Sequence, residues 1–358
     1  MLTNTYPGVQ IKEVNETSLS VRTSATAVPV FAVNDKNTYL TEKYHRINNW
    51  LEYLALKGQN GLFDPSDPLD ISLRAYFING GGYAYLIKTL DLVTQVPKLD
   101  DVTLLVAAGE DIANAAGSLC IEGKGLFAIH DGPKKEITNT DKLADILKPY
   151  AQSQYAAVYY PWLTAKWGKN KSTINIPPSA VMAGVYASVD NSRGVWKAPA
   201  NVAIQGGLQP QYSVTDDLQG IYNQGKALNM IRTFTNNGTL VWGARTLDDT
   251  DNWRYISVRR LFNSVERDIQ NAMKAAVFET NSQPTWEQVR SSIDNYLHNL
   301  WQQGALVGTK PKEAYFVQIG QGITMSDDDI KQGKMIAKIG LAAVRPAEFI
   351  ILQFTQDI

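Results

Sequence analysis

Apolar, largely β-branched residues fill positions 27–33, and beyond them Ile47, Trp50, Leu51 and Leu54 recur at helical spacing up to Gly58, which predicts a strand followed by a helix. A second helix is expected over residues 69–79, stopped by Gly80-Gly81-Gly82, with a strand over residues 83–87 after it. The short apolar runs 102–107, 126–130 and 156–160 read as buried strands, and residues 140–150, carrying Leu143, Ile146 and Leu147, as a helix. Pro177-Pro178 opens a helix through Val189, because a proline in the first turn loses only an N–H that has no partner there. Strands alternating with helices predict an α/β fold with a mostly parallel sheet and helices on its faces.

The pattern then changes. Residues 190–225 are rich in Gly, Pro, Gln and Asn and read as long loops. Runs 228–234 and 239–244 flank Asn236-Asn237-Gly238, where Asn-Gly supplies the positive φ angles of a tight hairpin. Two long helices come after it, 257–278 and 286–303. The second is expected to start on the capping box Thr285-x-x-Gln288, to bury Trp286, Val289, Ile293, Leu297 and Leu300, and to end at Gly304. Strands at 314–319, 335–344 and 349–354 close the chain, so its last third reads as α+β. The expected division is an N-terminal strand arm and linker (1–20), an α/β domain (21–240), an α+β domain (241–345) and a C-terminal strand arm (346–358).

Both ends carry isolated strand-like segments. Val9-x-Ile11, preceded by Tyr6-Pro7-Gly8, is cut off from the first core strand by the polar run 15–26, and Phe349-Ile350-Ile351-Leu352, with Phe354, is apolar on both faces. Such segments suit strand addition to another subunit, and at about 3.3 Å per extended residue a twenty-residue arm reaches a neighbour.

A chain of 358 residues has room for two or three cored domains, and 44% hydrophobic against 19% charged residues is the balance of a packed protein. Thirty-four Lys+Arg face 35 Asp+Glu, so no global field exists to hold nucleic acid or an anionic membrane. No run of eighteen apolar residues occurs, and the N-terminus lacks a basic and apolar export signal, so synthesis in the cytoplasm without membrane insertion is expected.

Chemistry is sparse. The single cysteine, Cys120, lies in an apolar stretch and can form neither an intrachain disulfide nor a thiolate cluster. His45, His130 and His298 share no metal-ligand spacing, and neither a G-x-S-x-G elbow nor a phosphate-binding loop is present. Gly123-Lys124-Gly125 fits the start of a dinucleotide fingerprint, yet residues 126–130 read as a strand where a helix is required. Asp327-Asp328-Asp329 is better explained by Ser326 capping a short helical turn with Asp329 than by a cation loop. No catalytic residue, metal site or cofactor is therefore expected. One surface feature remains: Arg260, Arg267 and Lys274 recur every seven residues opposite the apolar row Val258, Val265, Ile269 and Ala276. That basic stripe is either a solvated face or a dock for an acidic partner.

Several stretches together resemble the contractile tail sheath family of phages and phage-like injection systems. Thr5-Tyr6-Pro7-Gly8-Val9-x-Ile11 is similar to its N-terminal signature, and Gly80-Gly81-Gly82-x-Ala84-Tyr85 to its glycine-rich segment. Tyr159-Tyr160-Pro161-Trp162, Pro177-Pro178-Ser179 with Ala183-Gly184-Val185-Tyr186-Ala187, and Arg193-Gly194-Val195-Trp196-Lys197-Ala198-Pro199-Ala200-Asn201 succeed one another in family order. So do Val241-Trp242-Gly243-Ala244-Arg245-Thr246-Leu247, Trp253-Arg254-Tyr255-Ile256-x-Val258-Arg259-Arg260, and Arg345-Pro346-Ala347-Glu348-Phe349. The modest size is similar to sheaths of extracellular injection systems of the antifeeding-prophage or Photorhabdus virulence cassette kind, while Gln10-x-Lys12 departs from the aromatic and acidic residues common there. The resemblance implies a subtilisin-like α/β domain without its catalytic residues and a C-terminal α+β domain facing an inner tube, with the basic stripe as the candidate tube contact. It further implies stacked hexameric rings, strand exchange through both arms, contact with baseplate and terminal cap proteins, and release as part of a phage tail-like particle. A rigid, non-contractile tube or capsid component, or an α/β hydrolase-like enzyme, are the alternatives.

Overall fold

In the computed structural model, which describes residues 20–58 and 61–348, the first apolar run becomes the strand Pro29–Val33 (β1), buried along its whole length. His45–Ile47 (β2), Ala84–Lys88 (β3), Leu104–Val106 (β4), Phe127–Asp131 (β5) and Ala156–Tyr160 (β6) come next. After them lie Leu163–Ala165 (β7), Ile174–Ile176 (β8), Val202–Ala203 (β9), Gln209–Pro210 (β10), Leu228–Phe234 (β11) and Gly238–Val241 (β12), and finally Tyr315–Gln318 (β13) and Lys338–Leu341 (β14). Nine of these form one mixed sheet in the order β2-β3-β1-β4-β5-β6-β11-β12-β9. Its centre, from β3 to β11, is parallel. Antiparallel pairings finish both edges, β2 on β3 at one side, β12 on β11 and β9 on β12 at the other.

Successive residues of a strand point to opposite faces, so each central strand feeds two cores. Phe31, Leu86, Val106, Ile129 and Tyr159 pack under the helices Pro68–Ile78 and Pro178–Arg193. Val30, Ile87, Leu105, Ala128 and Val158 pack on the other face with Leu119 and Leu218. Burial on both faces is why these strands read as continuous apolar runs. Gly184 marks the closest helix crossing: a Cβ there would lie 2.5 Å from the Tyr76 carbonyl oxygen. Backbone cannot yield as a side-chain tip can, so Gly184→Ala should cost about 1–3 kcal/mol, read as a lower urea midpoint; an unchanged midpoint would show that the two helices slide apart freely.

A third core joins the helices Ile256–Met273 and Gln283–Gln302 to the two-stranded sheet β13–β14, with Leu261, Val265 and Ile269 meeting Val289, Ile293 and Leu297.

Four local expectations change. Residues 140–150 form only the single turn Leu143–Ile146, because Lys148 precedes Pro149 and is disfavoured from continuing a helix. The second long helix starts at Gln283 with Ser282 as N-cap, so the Thr285 capping box does not form; Pro284 fits the first turn as Pro178 does. The helix Asp216–Tyr222, capped by Thr215, interrupts the region read as loop. The first long helix ends at Met273, passes into the turn Lys274–Ala276, and stops at Phe278, whose φ of 73° leaves the helical region. By contrast, Ser326 and Asp329 do form their reciprocal cap, and Gly123 and Gly125 lead into β5, not into a helix.

Candidate assembly surfaces

The basic stripe proves to be a fastening. The helix Ile256–Met273 is wedged between the sheet domain and the third core, so the row opposite its apolar face meets protein instead of water. The Arg260 guanidinium donates to both oxygens of Asp190, at 3.0 and 2.6 Å, and packs 4.6 Å from the Tyr186 ring centroid. It also donates to the Thr26 carbonyl at 3.1 Å, and Thr26 Oγ1 donates to Asp190 at 2.5 Å. Two turns on, Arg267 donates to the Ala25 carbonyl at 2.6 Å, and Asp268 accepts from the Ser24 N–H at 3.1 Å and from the Tyr296 hydroxyl at 2.8 Å. Burial lowers the proton affinity of Arg267. Val21 completes the strap by packing on the third core. The expected exposed row is thus corrected for Arg260, which is buried, and for Arg267, which is half-buried and spent on the chain segment before β1; Lys274 alone is exposed.

The other end of the body is fastened in the same way. Arg245 forms a bidentate pair with Glu348, Nε at 3.0 Å and Nη2 at 2.6 Å, and donates to the Asn223 carbonyl at 2.6 Å. Asn223 Nδ2 and the Tyr255 hydroxyl donate to the same carboxylate at 3.2 and 3.4 Å. Arg245 is itself fixed from behind: its N–H donates to Asn229 Oδ1 at 2.7 Å, and Asn229 Nδ2 donates to the carbonyls of Arg245 and Val158, at 2.8 and 3.1 Å. The two stretches that carry Arg245 and Glu348 in the sequence therefore meet in space. Sequence reasoning did not find this clamp; the one available signal was an arginine set in an apolar run.

The arm residues Tyr6, Pro7, Gly8, Val9 and Ile11, and Phe349, Ile350, Ile351, Leu352 and Phe354, lie outside the described residues. The sheet edges among the described residues differ. The ends of the main sheet are the very short β2 and β9, three and two residues long. The sheet β13–β14 has four-residue strands, each pairing only with the other along its length among the described residues, which leaves open rows of N–H and C=O groups. A two-stranded sheet is marginal alone and gains from further strands.

No group of three or more His, Cys, Asp or Glu is placed to hold a metal among the described residues. Cys120 is buried, which pushes its thiol up to about 12, far from thiolate chemistry at neutral pH.

Comparison with known proteins gives the arrangement its family. Residues 248–357 match the family described as phage tail sheath C-terminal domain. A chain from the sheath complex of an extracellular contractile injection system, PVC, in the contracted state is 62% identical, with 100% of this chain and 99% of that chain covered and a TM-score of 0.91. A chain from the contracted baseplate of the anti-feeding prophage is 50% identical, with 99% and 100% covered and a TM-score of 0.88. A prophage major tail sheath protein of Pseudomonas aeruginosa (strain UCBPP-PA14) is 25% identical over 252 residues, a match covering 68% of this chain and 62% of that relative's own length. This chain belongs to the tail sheath protein family, among the sheath proteins of contractile injection systems.

Proposed function

We propose that this chain is a structural sheath subunit that polymerises as stacked six-membered rings around an inner tube and contracts to drive that tube through a target envelope. The observation that carries this is the pair of arginine clamps: the described body is held near its two limits, at Ser24 to Thr26 and at Glu348, and includes a small sheet with open edges. Arms rooted this way add strands to a neighbour's β13–β14 sheet, where backbone hydrogen bonds give affinity and alternate side chains give register. Val21 and Ser24 to Thr26 are held by the strap, so the hinge that the polar run 15–26 would supply falls before Val21, and subunits turn as rigid bodies without detaching.

In this proposal the main sheet and its helices form a subtilisin-like sheath domain without catalytic residues (21–240), and residues 241–345 form the tube-facing domain. The tube contact falls to Lys274, with Val277 and Phe278 exposed beside it. Baseplate and terminal cap proteins are the further partners, with no direct role for nucleic acid, cofactor or membrane. Assembly takes place in the bacterial cytoplasm and the particle is released.

Co-expression with the tube protein and electron microscopy test this. Ribbed tubes of two helical pitches, long and short, are expected, and deletion of residues 1–14 should abolish them while the soluble chain keeps its circular dichroism. One fixed pitch would instead identify a non-contractile tube, and failure to polymerise on the tube would refute a sheath role.

A further inference from the structure

Arg74, on the helix Pro68–Ile78, occupies a corner between two aromatic rings. Its guanidinium carbon lies 4.5 Å from the Phe63 centroid and 4.4 Å from that of Trp167, and the rings stand 6.4 Å apart at 83°. Both walls are fixed. The Asp64 N–H, next to Phe63, donates to the buried Asp70 at 2.6 Å, and Asp70 also holds Lys57 Nζ at 2.6 Å and the Tyr53 hydroxyl at 2.5 Å. Trp167 sits at the base of the β7–β8 hairpin, closed by Gly168 N–H to the Ser172 carbonyl at 2.9 Å. The left-handed Asn170 and Lys171, φ 55° and 59°, turn that hairpin so that Lys169 and Lys171 stand exposed beside Lys166.

None of this charge is paired locally. Asp67 and Asp70 are taken by Lys57, and one Asp64 oxygen accepts from Ser66. Among the described residues, neither Arg74 nor any of the three lysines has a carboxylate within ion-pair distance, although Asp64 lies near enough to Lys169 to feel its charge. An arginine stacked on rings has its rotamers restricted in advance, and its planar fork of N–H donors matches a carboxylate bidentately. Carboxylates that could answer it are exposed elsewhere on the chain: Asp217, in the first turn of the helix Asp216–Tyr222, has no ion-pair partner among the described residues. A basic face meeting an acidic one on the next copy is a heterologous contact, the kind that builds helical arrays.

We propose that Arg74 in its Phe63–Trp167 corner, together with Lys169 and Lys171, is a receptor for carboxylates on a second copy of this chain, which presupposes the self-assembly proposed above. Polymer assembled from equal parts of isotopically heavy and light protein, treated with a zero-length carbodiimide cross-linker, should yield mixed heavy–light peptides joining Lys169 or Lys171 to an Asp or Glu. Only same-isotope pairs at these lysines, or none, would overturn the receptor while leaving self-assembly intact; no polymer from the wild-type protein would refute self-assembly and the receptor with it. In parallel, Arg74→Gln should raise the concentration needed for polymerisation about tenfold, the loss of a charge-assisted hydrogen bond, with Arg74→Lys between the two and the melting temperature of the free chain unchanged. Polymerisation of Arg74→Gln at the wild-type concentration would contradict it.

Discussion

Replacing Arg260 by Met should lower the free energy of unfolding by about 3–5 kcal/mol, the usual result of removing one partner of a buried ion pair. The side chains of Arg260 and Asp190 are each only 3% exposed, so the carboxylate left behind can recruit little water. Its one remaining side-chain donor is the Thr26 hydroxyl, and the Thr26 carbonyl keeps only the Thr103 hydroxyl at 2.8 Å. The double variant Arg260→Met, Asp190→Leu should recover most of the loss, since an apolar pair of similar volume has no charge to desolvate. Urea titration followed by tryptophan fluorescence measures both. A loss below about 1 kcal/mol in the single variant, or simple additivity in the double, would mean that the pair is solvated and not a weld between the two helices.

The second large effect concerns two neighbours on β5 whose titrations oppose each other. Desolvation pushes the Asp131 carboxyl up from 3.8 to about 6, despite N–H donors from Gly109 and Ser179 at 2.7 Å. Between those values the folded chain binds more proton than the unfolded one, so stability falls as pH rises. Desolvation pushes His130 down from 6.5 to about 4, with Asp111 working weakly the other way. There the unfolded chain binds more proton, and stability rises with pH. At 1.36 kcal/mol per unit each contribution is about 3 kcal/mol, and across the shared window they nearly cancel. His130→Phe, which keeps the ring against Tyr150, should therefore uncover a loss of about 3 kcal/mol from pH 4 to 6. Asp131→Asn should uncover a gain of similar size over the same window. Identical pH profiles for the wild type and either variant would remove the basis for both titrations.

The elements that the sequence discloses are those whose signal is local. β1, the helix Pro68–Ile78 and the Asn-Gly hairpin of β11 and β12 arise from periodicity and turn chemistry within a dozen residues. The clamps are different in kind: Arg260 and Asp190 stand 70 positions apart, Arg245 and Glu348 103, and nothing in either neighbourhood names its partner. Sevenfold spacing does put Arg260 and Arg267 in one row, but whether a row meets water depends on what the rest of the chain lays over it. In the loop-like region, the Thr215 cap was the available sign of the helix Asp216–Tyr222, obscured by Gly220 within it. The family itself was legible because its motifs lie in order along nearly the whole chain.

The Arg245 clamp has a mechanical meaning. A pull on the chain at residue 348 passes through the Glu348 carboxylate to Arg245, then through Asn229 to the Val158 carbonyl on β6, in the middle of the nine-stranded sheet. Tension on that terminus is thus spread across the stiffest element of the molecule, in which a strand yields only when several ladder hydrogen bonds shear together. In the proposed assembly, a C-terminal arm could thus be drawn taut without peeling the domain that holds Glu348.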